Sequence, residues 1–351
     1  MDRYGERAGA LTARDAESED RRQIVLAVRQ FVDKELVPVA AEQEHAGHVP
    51  ASILTALAEL GILGAVVPPP LGGLGLDAAT HAMVIEELAR GWATIATTVA
   101  DHACVASAIA RFGGGQMRER LLPAMTRGER LGALAAGDLR ARRDGDAWIV
   151  SGATSLVANA TRAGVFVLGA RADDARALRL VIEPDARGLT IGEVEATVGG
   201  RGLDPARLTL DGVRVPTTAV LDDAGDTLGA AADLGAAATA LGIAQAAFEA
   251  ALRYSQQRTT FGKPICQHQA VQLKLADMAT GITATRLLVS AAADRLDAGE
   301  PATAALARRQ ATEVVGQVTL EAMRIHGGYG YTTEFPVERY YRDATRFLAG
   351  D

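Results

Sequence analysis

Cysteine is scarce in this sequence. Among 351 residues there are 2, Cys104 and Cys266, far apart and without metal-ligand spacing around either, which excludes a disulfide scaffold and a thiolate metal cluster. Aromatic residues make up 4% against 48% hydrophobic residues, so the apolar content is Ala and small aliphatics, a composition suited to packed helices. Positive charge is short as well: 36 Lys and Arg face 43 Asp and Glu, a net charge of −7, which excludes the clustered positive charge of a nucleic-acid binder. An anionic ligand would need local basic residues. No apolar run approaches the ~20 residues needed to cross a bilayer, and the N-terminus is charged rather than signal-like. With reduced thiols, these features predict a cytoplasmic protein that does not enter a membrane. The length exceeds a single hydrophobic core and predicts two or three subdomains.

Residues 1–18 carry Arg, Asp, Glu, Ala and Gly without periodicity and are expected to be mobile. Beyond them, Ile24, Val28, Phe31, Val32 and Leu36 fall on one helical face, with Pro38 ending or kinking that helix. A short helix is predicted over 51–60, stopped by Gly61. Gly72, Gly73 and Gly75 suggest a phosphate loop, but without a strand-turn-helix context or a nearby Lys they read as a structural turn. A buried helix over 95–112 carries His102 as a satisfied core or cleft residue. These segments make a helical N-terminal domain, 19–122.

From Leu131 the hydrophobic period changes. Asp144-Gly145 is a hairpin signal, and strand-like runs follow at 147–150, 164–170, 178–182, 189–191 and 206–213, closed by Val213-Arg-Val-Pro216. This is a middle β domain, 123–222. A Gly/Ala/Asp-rich linker over 224–232 then leads into a C-terminal helical domain, 223–351, with helices over 234–257, 267–297 and 302–326. The fold class is α+β, mostly α.

Between the first two of those helices lies Arg258-Thr-Thr-Phe-Gly-Lys-Pro-Ile-Cys-Gln-His-Gln269, read as a helix-to-helix corner with Gly262 and Pro264 as breakers. Arg258 offers a planar, permanently charged fork for phosphate or carboxylate, Phe261 a flat apolar face, and His268-Gln269 hydrogen-bonding groups, a set able to grip a nucleotide. Taken alone, such a corner reads equally as a capped helix end with Phe261 in the core and solvated glutamines.

The corner resembles the "R-x-T-F-G-K…H-Q" segment of the acyl-CoA dehydrogenase family. A second stretch, Ile325-His-Gly-Gly-Tyr-Gly-Tyr-Thr-Thr-Glu-Phe-Pro-Val-Glu-Arg-Tyr-Tyr-Arg-Asp-Ala344, resembles that family's "GGxGYxxEYPVE…RDA" signature. The resemblance extends over the chain from residue 20 and implies helical, β and helical domains in that order. It also implies FAD, an acyl-CoA or acyl-carrier thioester substrate, an electron-accepting flavoprotein and a homo- or hetero-oligomer. A carboxylate takes the α-proton of the thioester while the β-hydrogen leaves as hydride to the flavin. FAD in this family crosses a subunit interface. By this match Arg258 and Thr260 hold the pyrophosphate, Phe261 lies beside the cofactor, His268-Gln269 makes the amide contact, and Gly327-Gly328 let the backbone approach the nucleotide. Arg324 stands where the family usually has Gln.

The segments that would bind flavin within one chain depart from the pattern. Ala133-Leu-Ala-Ala-Gly-Asp-Leu-Arg-Ala-Arg-Arg-Asp-Gly-Asp146 is several residues too short to contain the family's "TEPxAGSD" loop. Leu156 replaces the Trp that covers the flavin, and Ala158 the Thr whose hydroxyl reaches it. The catalytic Glu position falls on Asp351 when counted without gaps and on Ala349 when the family's "EGT" is matched to Ala349-Gly-Asp351; the position some members use instead, on the helix before the Arg corner, is Ala232, with Asp233 beside it. No counterpart of the family's final helix is expected. Three functions compete: a subunit that donates trans FAD contacts to a more complete chain; a self-sufficient homo-oligomeric flavoenzyme with Asp351 as base, an unusual thioester dehydrogenase or a nitroalkane-oxidase-like enzyme; and a non-catalytic scaffold.

Overall fold

The computed structural model describes residues 19–222 and 224–349. The expected mobile N-terminus and the candidate base Asp351 lie outside the described residues. Acidic Glu19 and Asp20 open helix α1 (Glu19–Phe31), where they complement the exposed N–H groups of its first turn. Pro38 does not end the helical run. The chain widens into a π turn over Val32–Leu36 and continues as α2 (Val37–Ala46) with Pro38 in its first turn, so the ladder is interrupted where the proline has no N–H to donate but the helical run is not ended. Helix α3 (Ala51–Glu59) stops before Gly61, whose φ of 75° is a left-handed conformation that glycine adopts without strain.

The glycine-rich turn over 66–77 spends its N–H groups on the protein itself. Leu74 N donates to Gly64 O and Leu76 N to Ala65 O, at 3.1 and 2.8 Å. Asp77 then caps α4 (Ala78–Gly91) by accepting from Thr80 N at 2.7 Å. Trp92 alone separates α4 from α5 (Ala93–Phe112), so the two helices run antiparallel; α6 (Gly115–Thr126) completes the first helical part.

The sheet is built from β1 (Leu131–Ala135), β2 (Gly137–Asp144), β3 (Ala147–Thr154), β4 (Ala163–Ala172), β5 (Ala177–Ile182), β6 (Leu189–Ile191) and β7 (Leu208–Pro216). Its order is β1-β4-β2-β3-β7-β6, with β5 on the other edge of β4. Strands β1 and β2 pair parallel with successive stretches of β4, Leu131↔Ala163 to Ala135↔Leu168 and then Arg140↔Arg171, and only Ala136 lies between them. The predicted Asp144-Gly145 turn joins β2 to β3, with Gly145 at φ 60°.

The last part holds α7 (Gly225–Gln257), α8 (Gln269–Asp297), α9 (Thr303–His326) and α10 (Val337–Leu348). Residues 225–232, expected in a linker, are the first turns of α7: Leu228 and Ala230 are buried, and that packing outweighs the low helix propensity of Gly225 and Gly229. Sequence inspection also missed that α5 and α7 are long and apolar enough to cross a bilayer. Most of that apolar surface is buried inside the protein, which accounts for their hydropathy. One core joins the first helical part to the last, with Ile85, Leu88 and Ile95 packed together with Leu241, Ile243 and Val315. Gly242 permits the approach, since a Cβ there would meet the Glu86 carbonyl. The sheet keeps its own core around Trp148, Phe166, Leu180 and Val213.

His102 on α5 ties the two layers. Its Nδ1 accepts from Gly132 N of β1 at 3.0 Å, so Nε2 carries the proton and donates to Leu63 O at 2.9 Å. Burial pushes this imidazole down to about 4, which keeps it neutral at pH 7. It is the satisfied core residue expected from the sequence.

Candidate nucleotide-binding site

Helix α7 ends at Gln257, as expected, and Arg258 already has an extended backbone. The expected simple corner is a hairpin of β8 (Thr259–Thr260) and β9 (Lys263–Pro264), turned by Phe261 and Gly262 at φ 50° and 78°. Two successive left-handed residues define a type I′ turn, which matches the twist of the strands. Phe261 therefore stands at a hairpin tip, 97% exposed, and not in the core. His268 follows at the start of α8, with Nε2 3.1 Å from Thr260 Oγ1 and its ring edge-on to Phe261 at 6.3 Å; Gln269 is exposed on the first turn.

Because α8 reverses α7 and α9 reverses α8, the C-terminal ends of α7 and α9 meet. Helix α9 stops at Gly327, whose φ of 60° and ψ of −133° form a conformation open essentially to glycine alone. There a pocket of ≈ 430 Å³ is lined by Arg258 and Thr260 from the hairpin and by Gly327 and Gly328, with Tyr254 and His326 alongside. Nothing lies within 4 Å of a Cβ added at either glycine, so a ligand has direct access to their backbone. Tyr254 and His326 stack at 4.2 Å, and Phe335 meets Tyr254 edge-on at 5.3 Å. His326 donates from Nδ1 to Ala322 O at 2.8 Å, and burial holds its pKa below the usual imidazole range, which leaves Nε2 as an acceptor. Among the described residues no carboxylate pairs with Arg258. An exposed, uncompensated guanidinium beside two bare glycine backbones suits a diphosphate, and the aromatic wall suits the flat apolar part of a nucleotide.

Arg258, Thr260, Gly327 and Gly328 thus converge, while Phe261, His268 and Gln269 flank the pocket on the hairpin and the start of α8. Arg324 does not join them: its guanidinium pairs with Glu321, which also takes Lys274. One helical turn before the glycines, it is satisfied locally. Tyr254, His326 and Phe335 escaped the sequence reading, although His326 and Phe335 lie inside the second quoted motif. Asp233 is held by Arg308 at 2.8 Å. On the sheet, the β1–β2 link is the single residue Ala136, and Leu156 is 43% exposed beside the half-buried Ala158.

A second cavity, of ≈ 210 Å³, lies between α4, α5 and α7 and reaches the end of α8. Alanines recur in its walls, among them Ala82, Ala100, Ala103 and Ala231, beside larger aliphatics and with His81, Cys104 and Asp297 included. Small residues at helical spacing were the only sequence signal, and in an Ala-rich chain that signal does not stand out. Burial pushes the Cys104 thiol up, so it is not a nucleophile at neutral pH.

Two helical parts with a sheet between them in the chain, and a pocket where two long helices end, define a fold of the helix-sheet-helix class. Residues 18–129 match the family model described as "Acyl-CoA dehydrogenase, N-terminal domain", and residues 232–351 match "Acyl-CoA dehydrogenase, C-terminal domain". The chain is 34% identical to the short-chain specific acyl-CoA dehydrogenase of Bos taurus mitochondria, over 90% of this chain and 82% of that one. The butyryl-CoA dehydrogenase structure from Megasphaera elsdenii superposes with a TM-score of 0.88 at 31% identity, covering 94% of each chain. A glutaryl-CoA dehydrogenase from Mycobacterium smegmatis in complex with FADH2 gives a TM-score of 0.88 at 26% identity, over 96% of this chain and 92% of that one. The chain belongs to the acyl-CoA dehydrogenase family.

Proposed function

We propose that this chain is an acyl-CoA dehydrogenase-type flavoprotein subunit in the α,β-dehydrogenation of an acyl thioester, and that it grips the adenosine diphosphate half of FAD held by a second, more complete chain of the same family. The observation that carries this reading is the contrast between two places. The pocket of Arg258, Thr260, Gly327 and Gly328 is fully formed within this chain. The β1–β2 connection, where the family's flavin-lining loop would sit, is Ala136 alone.

The residues present fit one half of the cofactor. Arg258 and the Thr260 hydroxyl would hold the diphosphate, with His268 fixing that hydroxyl, and the Gly327-Gly328 backbone would let it approach. FAD, when bound, supplies a hydride acceptor. This chain offers little to the flavin ring, since Leu156 and Ala158 have neither an aromatic plane nor a hydroxyl. An electron-accepting flavoprotein would then reoxidise the assembly.

The test is the FAD content of the chain purified alone and after co-expression with a complete family member from the same source. Substoichiometric flavin alone, and one FAD per pair in the complex, are expected. A homomer that carries one FAD per chain and oxidises an acyl thioester overturns the subunit reading.

A further inference from the structure

Asp101, half-buried on α5, is a carboxylate without a partner. Among the described residues every other buried or half-buried Asp and Glu is hydrogen-bonded or ion-paired, most of them to an arginine. A carboxylate drawn out of water without such compensation is costly in its charged form and holds a proton more readily. Burial accordingly pushes the Asp101 carboxyl above the ordinary aspartate value, and Arg346 on α10 offsets part of that rise. A group left in this condition is a candidate for proton transfer.

Its surroundings come from three other helices. Helix α5 crosses α7 closely at this level: a Cβ on Gly235 would come within 3.1 Å of the Ala100 Cβ. Asp233 lies two residues before Gly235, and the Cys104 thiol, one turn beyond Asp101, is pushed up by burial and by both carboxylates, so it stays neutral. Asp233 is already held by Arg308 of α9 at 2.8 Å, and an ion-paired carboxylate is a weak base. His102, next to Asp101 in the chain, is turned to Leu63 and Gly132. Arg346, near the end of α10, is exposed and makes no hydrogen bond or ion pair among the described residues. Asp101 thus faces an unpaired cation, a neutralised carboxylate and a neutral thiol. This leaves a base with raised proton affinity and, within its electrostatic reach, a guanidinium able to receive negative charge.

We propose that Asp101 and Arg346 form an acid-base couple that ionises an acyl thioester at its α-carbon. The α C–H bond breaks, the proton goes to the Asp101 carboxylate, and the electron pair moves into the carbonyl, whose oxygen becomes an enolate stabilised by the Arg346 guanidinium. Return of the proton restores the thioester, so the step consumes no oxidant. The inference rests on the acyl-thioester reading above but requires neither flavin nor a second chain. Its test is deuterium uptake at the α-carbon of butyryl-CoA, read by mass spectrometry, with the purified chain in D2O. Uptake above the protein-free control is expected, rising with pH through a midpoint above the ordinary aspartate value. Asp101→Asn should slow it about a hundredfold or more, the usual contribution of a general base, while calorimetric affinity for butyryl-CoA changes less than about threefold. Arg346→Gln should slow exchange and move the midpoint to higher pH, because the guanidinium holds the carboxyl down. Binding of butyryl-CoA without exchange, exchange that survives Asp101→Asn, or an unmoved midpoint in Arg346→Gln overturns the couple and leaves the thioester reading standing. Absence of butyryl-CoA binding overturns both. Should Asp101→Asn fail to fold, wild-type exchange and the Arg346→Gln profile decide.

Discussion

Replacing Arg258 with Ala isolates the nucleotide grip from the fold. Its guanidinium has no carboxylate partner among the described residues, so its removal breaks no ion pair there and leaves no buried charge behind. Exposed substitutions of this kind usually change stability by less than about 0.5 kcal/mol. A charge-assisted hydrogen bond to phosphate contributes ~1.5–3 kcal/mol. Arg258 is exposed at the pocket lip, so solvent screening favours the lower figure, which corresponds to about a tenfold loss of affinity. The assay is calorimetric titration of the purified chain with ADP, paired with thermal unfolding of the same samples. Arg258→Ala should raise the Kd about tenfold, Arg258→Lys should recover part of it, and the melting temperature should stay put. Raising the salt should shrink the difference between wild type and variant, as expected for a screened charge. An unchanged ADP affinity together with a lowered melting temperature would refute the reasoning and return Arg258 to a helix-capping role.

Other substitutions probe the surroundings. Gly327→Ala forces a Cβ into a conformation at φ 60°, ψ −133°, costing about 1–3 kcal/mol, and should lower both the melting temperature and ADP affinity. Burial holds the His102 imidazole down to about 4 in the folded protein, against an ordinary imidazole near 6.5, so the unfolded chain binds the proton more readily between those values. Its contribution to stability is present above pH 6.5 and is lost as pH falls toward 4, on the order of 3 kcal/mol in full. Urea midpoints at pH 7 and pH 5 measure this, and His102→Gln should flatten the difference. Asp343 is the opposite case: burial pushes its carboxyl up to about 6 although it accepts from Gly200 N at 2.8 Å. Its stability contribution is full below 3.8, the ordinary aspartate value, and falls as pH rises through 6, so Asp343→Asn should be neutral or stabilising at pH 7.5, whereas Asp343→Ala should destabilise. Thermal unfolding of both variants distinguishes the charge from the hydrogen bond.

Where the sequence was legible, local chemistry and tertiary structure agreed. Gly61 stops its helix, Asp144-Gly145 turns a hairpin, and His102 is a core residue because an apolar helix leaves an imidazole no other environment. Where it was not, one of the two prevailed unannounced. Strand β2 puts Asp138, Arg140 and Arg142 on one face against Leu139 and Ala141 on the other, but the second face continues with the exposed Arg143, a weak alternation that a charged loop would also show. The β8–β9 hairpin places Phe261 at positive φ, where Asn or Gly is the usual signal, so composition pointed to a plain corner. Gly225 and Gly229 suggested a linker because propensity is summed locally, while the burial of Leu228 and Ala230 comes from distant elements. The nucleotide pocket was legible as residues and not as a place. Arg258 and Gly327 are brought together by two helix reversals, and Arg324, close to Gly327 in sequence, is diverted to Glu321.

The core shared by the first and last helical parts fixes the order of events during synthesis. Helices α4 and α5 leave the ribosome before α7 and α9 exist, with the whole sheet translated in between. At typical elongation rates of 5–20 residues per second, the roughly 110 residues between Phe112 and Gly225 represent a wait on the order of ten seconds. For that interval Ile85, Leu88 and Ile95 have no C-terminal partners to cover them. The nascent protein therefore presents a chaperone-sized apolar surface before it can close its own core, and its yield should depend on how quickly the last third of the chain arrives.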